Sequence, residues 1–266
     1  MVTAIQVRDD QDGVRWITFW RPKKLNALLP EDLDAITHAL SEQTPTPRAA
    51  VLTGSGERAF SAGMHLDAFH GLNPATARRL IEQVRDCVGS VRKAPFPTVA
   101  AINGHCLGVA FEMALACDLR VAADHATVGL PEIKVGIPSV VDAALLQQHV
   151  GLSKAKEMIL TGDLYPVAEL APLGLFNAVV SPEQLLEATH KMLARVTPWT
   201  PTVVAAQKRL FEIWQNTTLQ DGIEASVVEF SQVFTSSETA TQIAERRASV
   251  GRRQQAEHEE GVERER

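Results

Sequence analysis

Short apolar segments alternate with helical patterns along the first 180 residues, and this alternation limits the fold more than any other feature of the chain. Strands are predicted at residues 14–19, 49–52, 97–102, 119–122, 127–130 and 176–180. Helices are predicted at residues 30–40 and 75–92 from the spacing of their apolar side chains, and at the apolar stretch 104–118. This order favours an α/β layer structure, because sheets and helices bury their apolar faces against each other.

The second part of the chain, from about residue 183, shows only helical patterns. Ser181 and Pro182 begin it as an N-cap and a first helical residue, which is a strong helix start. We therefore predict a core of residues 1–195, a helical region of residues 196–250 and a tail of residues 251–266. The tail is polar and charged, so we expect it to be disordered.

Composition excludes several classes of function. The 266 residues are 45% hydrophobic, and a formal charge of −6 with dispersed Lys and Arg disfavours a nucleic-acid partner. The acidic N-terminus does not resemble a signal peptide, and no apolar run is long enough to span a bilayer. Because Cys87, Cys106 and Cys117 form no CxxC pair, we expect reduced core thiols in a cytoplasmic protein without a membrane partner.

Common cofactor and metal motifs are incomplete. A GxGxxA pattern begins at Gly54, but the sequence FSAG at residues 60–63 interrupts the helix that a dinucleotide site requires, so a glycine turn is favoured. The chain contains no GxSxG, GxxxxGK[ST] or HExxH pattern. Its eight histidines are dispersed without metal-ligand spacing, so we expect no metal.

Glu112 is the only charged residue between Val109 and Cys117. In a helix its same-face neighbours are glycine, valine, leucine and alanine, so that side is not expected to meet solvent. A buried carboxylate costs free energy unless a partner compensates it. One interpretation is a buried salt bridge with Arg120 or Lys134, and the other is a catalytic acid.

Glu132 follows Glu112 by twenty residues, in the glycine- and proline-rich loop GLPEIKVGIP at 129–138. Twenty residues are enough for the chain to form a helix and a strand and to return to the same end of the predicted α/β structure. Two carboxylates that converge in an apolar pocket raise the pKa of at least one of them above the usual value of about 4.3. Such pairs carry out general acid–base chemistry near neutral pH, which favours the catalytic interpretation of Glu112.

Four motifs occur in an order that resembles the crotonase (enoyl-CoA hydratase/isomerase) superfamily. They are RPKKLNAL at 21–28, AFSAGM at 59–64, INGHCLG at 102–108 and GLPE at 129–132, and LTGD at 160–163 also fits. The resemblance covers roughly residues 14–180 and implies an α/β fold with a spiral of ββα units. It also implies that the C-terminal helices mediate trimerisation, that the substrate is an acyl-CoA, and that the protein forms a homotrimer or homohexamer.

The resemblance further implies roles for individual residues. The amides of Met64 and Val109 correspond to the oxyanion-hole donors, while Glu112 and Glu132 correspond to two acids that hold water and exchange a proton with the α-carbon. Val109 begins the predicted Glu112 helix, where free N–H groups favour negative charge. No cofactor is implied beyond the CoA of the substrate. Contacts with CoA and substrate are expected at Lys24, Leu25, Ala27, Ala62, Met64, His65, Leu66 and Val109.

The chain departs from the family pattern at several positions. Val109 stands where glycine is usual, and its β-branched side chain narrows the site beside the proposed donor. His65 replaces a common Asp, and SVVDAA at 139–144 replaces a glycine-rich turn and adds Asp142. Lys24 has an alternative interpretation as a solvated loop lysine. These differences concern the choice of acyl group more than the class of reaction.

We therefore predict an enoyl-CoA hydratase that adds water across the 2,3 double bond by Glu112/Glu132 acid–base catalysis. The same fold supports double-bond isomerases, thioester hydrolases, decarboxylases and C–C lyases. Both acids are present, which favours hydration over isomerisation. A catalytically silent binding or assembly protein is the alternative from a different class.

Overall fold

Two β-sheets and the helices that cover them form the first part of the protein. The structure is a computed structural model that describes residues 3–42 and 44–264, with the backbone alone described for residues 251–264. The strands are β1 (Ile5–Asp9), β2 (Val14–Phe19), β3 (Ala49–Gly54), β4 (Ala59–Ser61), β5 (Thr98–Ile102), β6 (His105–Leu107), β7 (Leu119–Ala123), β8 (Thr127–Gly129), β9 (Tyr165–Pro166) and β10 (Ala178–Val180). The helices are α1 (Pro30–Ser41), α2 (Pro74–Lys93), α3 (Val109–Ala116), α4 (Leu146–Val150), α5 (Leu152–Thr161), α6 (Val167–Leu170), α7 (Leu185–Val196), α8 (Pro201–Asn216), α9 (Leu219–Gln232) and α10 (Ser237–Arg264).

The strands are distributed between the two sheets in a repeating manner. The six-stranded sheet has the order β1-β2-β3-β5-β7-β10, and its strands are parallel apart from β1. The four-stranded sheet has the order β4-β6-β8-β9, and it is parallel apart from β9. The units β3–β4–α2 and β5–β6–α3 each contribute one strand to each sheet before a helix. The predicted α/β fold with ββα units is thus confirmed.

Strands β3 and β5 of the larger sheet are covered on both faces. Leu52 and Ala100 face the larger hydrophobic core, while Val51 and Val99 face a smaller core that also contains Leu193 of α7. Near-continuous apolar strands of this kind are typical of parallel sheets buried on both sides. This arrangement explains why the segments 49–52 and 97–102 show no polar alternation.

The predicted elements differ from the structure mainly around Gly108. Residues 14–19 form β2, and the predicted helices 30–40 and 75–92 lie within α1 and α2, as expected. The prediction of a helix over 104–118 was wrong in its first part, because residues 105–107 form β6 and the helix begins at Val109. Residues 105–107 form a strand because β6 pairs with β4 and β8, and a local apolar pattern contains no information about strand pairing.

The chain forms two compact units, Met1–Pro198 and Trp199–Arg266. The sequence-based division after residue 195 lies three residues before this one. The second unit consists of helices α8, α9 and α10 with a short 3₁₀ turn, and Arg209 pairs with Glu229 at 2.8 Å to link α8 and α9. The backbone of α10 continues to Arg264, since Ala, Glu, Gln and Arg favour helix even without apolar anchors. The side chains of the tail lie outside the described residues, and its disorder stays a prediction.

The three cysteines are buried and form no disulfide. Burial raises the pKa of Cys87 to about 12, so this thiol is a core residue rather than a nucleophile. Within the described residues, none of the helices combines the length and the apolar character that a membrane span requires.

Candidate active site

A mainly apolar cavity of about 210 Å³ lies beside α2, α3 and the loop that follows β8. The loop contains the 3₁₀ turn Pro131–Val135, and α3 contributes its first turn to the wall. The predicted site residues that line the cavity are Ala62, Met64, Leu66, Val109, Glu112 and Glu132. The structure therefore brings both predicted acids and both predicted amide donors to one cavity.

Glu112 is buried on α3, with 3% of its surface exposed. Every residue of α3 is buried, so this helix has no solvent-facing side on which a carboxylate would be hydrated. The Arg120 guanidinium donates instead to main-chain carbonyls at the end of α3, and Lys134 pairs with Asp163 at 2.9 Å. The interpretation of Glu112 as a salt-bridge residue was therefore wrong.

The environment of Glu112 favours its neutral form. Burial raises the pKa of Glu112 well above its ordinary value of 4.5, and the charges of Glu132 and Asp142 raise it further, while a backbone hydrogen bond from Asp142 acts in the opposite direction. Glu112 Oε2 has no hydrogen-bond partner among the described residues. The carboxyl group therefore stays protonated at pH values where an exposed glutamate is ionised.

Glu132 lies in the loop after β8, lines the same cavity as Glu112 and is half-buried. Its Oε2 accepts a hydrogen bond of 2.7 Å from the Ser139 hydroxyl. Its Oε1 approaches Gly108 so closely that a Cβ added there would lie 2.8 Å from this oxygen. One carboxylate oxygen is thus held by a serine, and the other lies beside the first turn of α3.

The amides of Met64 and Val109 belong to two segments that meet at Gly63 and Gly108. A Cβ added to Gly63 would lie 3.5 Å from the Gly108 Cα atom, so the segments are in contact. Leu28 forms a parallel bridge with Met64 in which the Leu28 N–H donates to the Gly63 carbonyl. Since successive residues of a strand alternate in direction, the Met64 N–H points away from that bridge. Val109 begins α3, so its N–H has no partner within the helix.

The predicted CoA contacts lie on two segments that hydrogen-bond to each other. The Ala62 N–H donates to the Leu25 carbonyl at 2.9 Å. Lys24 is exposed at the end of a 3₁₀ turn, and the imidazole of His65 accepts a hydrogen bond from the backbone two residues later. The segments are adjacent, but four of the predicted residues do not line the cavity: Lys24, Leu25, Ala27 and His65.

Several cavity residues were not predicted from the sequence. They are mostly apolar: Phe69, Ile81, Val84, Val135, Ile137 and Val140. The helical pattern of residues 75–92 indicates that Ile81 and Val84 are on the inward face of α2. Periodicity cannot distinguish a side chain that lines a cavity from one that fills a core, since both are apolar and face inward. Ser139, which holds Glu132, was noted only as a departure from the family pattern.

Asp142 is a third carboxylate close to the cavity. It forms an ion pair with Arg92 of α2, which balances its charge. Among the side chains of residues 3–42 and 44–250, no group of His, Cys, Asp and Glu has an arrangement that would hold a metal ion.

The raised pKa of Glu112 predicts a pH-dependent stability. Above pH 4.5 the native state keeps a proton on Glu112 that the unfolded state loses, so the free energy of unfolding falls as the pH rises toward the folded-state pKa. Glu112→Gln has no proton to lose. We expect its stability relative to the wild type to increase from pH 4.5 upward, by about 1.4 kcal/mol for each unit by which the pKa is raised. Urea unfolding at several pH values measures this difference.

Glu187→Gln provides a control of opposite sign. Glu187 is exposed and its pKa is lowered by Lys191, so the neutral variant should lose relative stability as the pH rises from the folded-state pKa toward 4.5, with little further change above it. A stability difference between Glu112→Gln and the wild type that does not change with pH would contradict the raised pKa.

Comparison with known proteins identifies the family. The sequence model of the enoyl-CoA hydratase/isomerase family matches residues 9–252. The "Probable enoyl-CoA hydratase, mitochondrial" of Dictyostelium discoideum is 34% identical over 223 residues, which are 82% of this chain and 79% of that protein. The short-chain-enoyl-CoA hydratase of Clostridium acetobutylicum is 28% identical over 231 residues, which are 86% of this chain and 87% of that protein.

Solved structures agree with the sequence comparison. The crystal structure of an enoyl-CoA hydratase from Bacillus anthracis superimposes with a TM-score of 0.85 at 28% identity, covering 93% of this chain and 97% of that chain. Because the family match and these likenesses extend over most of the sequence, the chain belongs to the enoyl-CoA hydratase/isomerase family of the crotonase superfamily.

Proposed function

We propose that the protein is an enoyl-CoA hydratase that adds water across the 2,3 double bond of an acyl-CoA thioester. The observation that carries the proposal is the convergence of Glu112 and Glu132 in one apolar cavity at the start of α3. Hydration needs a carboxylate that accepts a proton from water and a carboxylic acid that gives a proton to the α-carbon. Glu112 and Glu132 lie in different environments of one cavity, which lets the two acids divide these roles.

The thioester carbonyl lies against the amides of Met64 and Val109 in the proposed complex. When the water oxygen bonds to the β-carbon, negative charge moves to the thioester oxygen and an enolate forms. Amide donors at this point stabilise the enolate more than the neutral carbonyl, and the N-terminus of α3 adds to the effect. The apolar walls of the cavity strengthen these interactions by lowering the local dielectric constant.

Glu112 acts on the water and Glu132 acts on the α-carbon. The water proton passes to Glu112 as the C–O bond forms, and the enolate then takes a proton from Glu132. After this reaction Glu112 is protonated and Glu132 has given up its proton, and burial favours the protonated form of Glu112. The proton returns from Glu112 to Glu132 before the next hydration, so the two acids act as a coupled pair.

The proposed partners are an acyl-CoA substrate and further copies of the chain. The CoA part lies along the segments of Lys24–Ala27 and Ala62–Leu66, and no cofactor is needed beyond the CoA of the substrate. The second unit leaves large apolar side chains exposed, which supports a homotrimer or homohexamer. The exposed apolar residues of the second unit include Phe211, Leu219, Val227, Phe230 and Phe234. Cysteines that form no disulfide fit a reducing compartment such as the cytoplasm.

Loss of the enoyl-thioester absorbance on mixing with crotonyl-CoA tests the proposal. A panel of short, medium and aryl enoyl-CoAs, with mass analysis of the products, extends the test to the acyl group. A mass gain of one water identifies hydration. No turnover across the panel would refute the hydratase proposal, and a product of unchanged mass would indicate an isomerase.

Gly108→Ala is expected to impair both stability and hydration. Gly108 has φ = 58° and ψ = −133°, a backbone conformation that glycine alone adopts readily, and the added Cβ would displace Glu132 Oε1. We expect the free energy of unfolding to fall by about 2 kcal/mol, and hydration per folded molecule to fall as well. Urea unfolding and steady-state kinetics measure the two effects.

Gly136→Ala is the matched control for this prediction. Gly136 also has a positive φ of 82°, but an added Cβ would meet nothing within 4 Å. This variant should lose stability while keeping its activity per folded molecule. Equal activities of the two variants would show that Gly108 does not position Glu132.

A further inference from the structure

Residues 138–142 connect the cavity wall to the surroundings of both acids. Val140 lines the cavity, and Ser139 donates its hydroxyl hydrogen to Glu132 Oε2 at 2.7 Å. Asp142 lies next to Glu112 and pairs with Arg92 of α2. This short segment therefore contacts elements on both sides of the proposed reaction centre.

The hydrogen bond from Ser139 leaves Glu132 with one occupied and one available oxygen. Oε2 is the acceptor, and Oε1 remains directed toward Gly108 at the start of α3. In the part of the chain that the structure describes, Ser139 is the only side chain that donates to Glu132. Lys134, the cation on the same 3₁₀ turn, is engaged by Asp163. The orientation of the Glu132 carboxylate thus depends on one hydroxyl group.

The backbone around Ser139 is held in an unusual conformation. Val141 has φ = 54°, in the left-handed region that β-branched residues rarely adopt. Such a conformation persists only where the surrounding structure enforces it. Here Val141 packs against the larger hydrophobic core, and the next residue is anchored by Arg92. Ser139 is consequently part of a fixed turn, so its hydroxyl is already in place to bind Glu132.

We propose that Ser139 is a positioning residue that orients the Glu132 carboxylate for proton transfer at the α-carbon. The proposal rests on the hydratase function given above. A hydroxyl that holds one carboxylate oxygen restricts the orientations of the Glu132 carboxylate. The other oxygen is then already directed toward the substrate. The effect should fall on the chemical step and leave binding of the CoA part unchanged.

Ser139→Ala and Ser139→Thr test this role in the full-length protein. We expect Ser139→Ala to lower kcat for enoyl-CoA hydration about tenfold with KM changed less than about twofold, since one oriented hydrogen bond is lost. Ser139→Thr keeps the hydroxyl and should recover most of kcat. Exchange of the α-protons of a saturated acyl-CoA with D2O is measured by mass spectrometry. Its rates in the wild type and the two variants should follow the same order as kcat, because this exchange needs Glu132 but no addition of water.

Ser90→Ala is the matched control, since Ser90 is also half-buried and its hydroxyl donates to the Cys87 carbonyl of α2. This variant should keep wild-type kcat. The proposal is overturned if Ser139→Ala keeps wild-type kcat and exchange, or if Ser139→Ala and Ser139→Thr lose both equally. A third outcome separates the two proposals. If the wild-type protein exchanges α-protons and Ser139→Ala slows this exchange, but no enoyl-CoA is hydrated, the hydratase function is refuted and the role of Ser139 is supported.

Discussion

Glu112→Gln is expected to lower the rate of hydration by about 10²-fold or more, the usual contribution of a general acid–base residue. Glutamine has nearly the same shape, so a side chain that is 3% exposed can be replaced without a cavity. The amide cannot take the proton that water must lose when its oxygen bonds to the β-carbon. Because the charge of Glu132 raises the pKa of Glu112, the substitution also removes half of a coupled pair.

Steady-state kinetics with the best enoyl-CoA of the panel measure this effect, and circular dichroism and urea unfolding show whether the variant is folded. Glu157→Gln is a suitable control, because Glu157 is an exposed glutamate whose partners are Lys154 and Tyr165. If Glu112→Gln is largely unfolded but has wild-type activity per folded molecule, the role of Glu112 is purely structural.

Glu132→Gln is also expected to lower hydration by about 10²-fold or more, with a different signature. In the proposed mechanism Glu132 exchanges the α-proton, so exchange of the α-protons of a saturated acyl-CoA with D2O should be lost as well. Glu112→Gln should retain more of this exchange, because no water is added in it. Mass spectrometry of the recovered acyl-CoA measures the difference between the two variants.

The double variant tests whether the acids act as a unit. The effects of substituting residues that act together in one step are not additive. The double variant should therefore lose little more hydration rate than the more impaired single variant. Retained α-proton exchange in Glu132→Gln, with exchange lost in Glu112→Gln, would reverse the assigned roles. Independent, additive losses would contradict the coupled pair.

Some features of the proposed site follow from local sequence. The apolar surroundings of Glu112 along the chain indicated its burial, and the glycines and prolines around Glu132 indicated a loop that returns to the same place. Both conclusions depend on short-range properties, namely the polarity of helical neighbours and the backbone preferences of a few residues. The structure brings both residues to one cavity.

Other features depend on contacts that no local sequence pattern predicts. The partner of Arg120 was not predictable, because its guanidinium finds main-chain carbonyls at the end of α3 rather than a carboxylate. Strand β6 was predicted as helix, because a segment of three residues suits either structure until neighbouring strands pair with it. Ser139 has no motif of its own, and its contact with Glu132 exists because a turn folds back across seven residues.

The sequence by itself determined the α/β class and the order of the principal elements, and it indicated Glu112 and Glu132 as the two acids of the proposed site. Those properties arise from periodicity, composition and motifs that are continuous along the chain. Tertiary structure alone decided that Glu112 has no cationic partner among the described residues, that Glu132 is held by Ser139 and that Gly108 leaves space for Glu132 Oε1. These contacts join residues that are not neighbours along the chain, and packing of the whole core sets the distances between them.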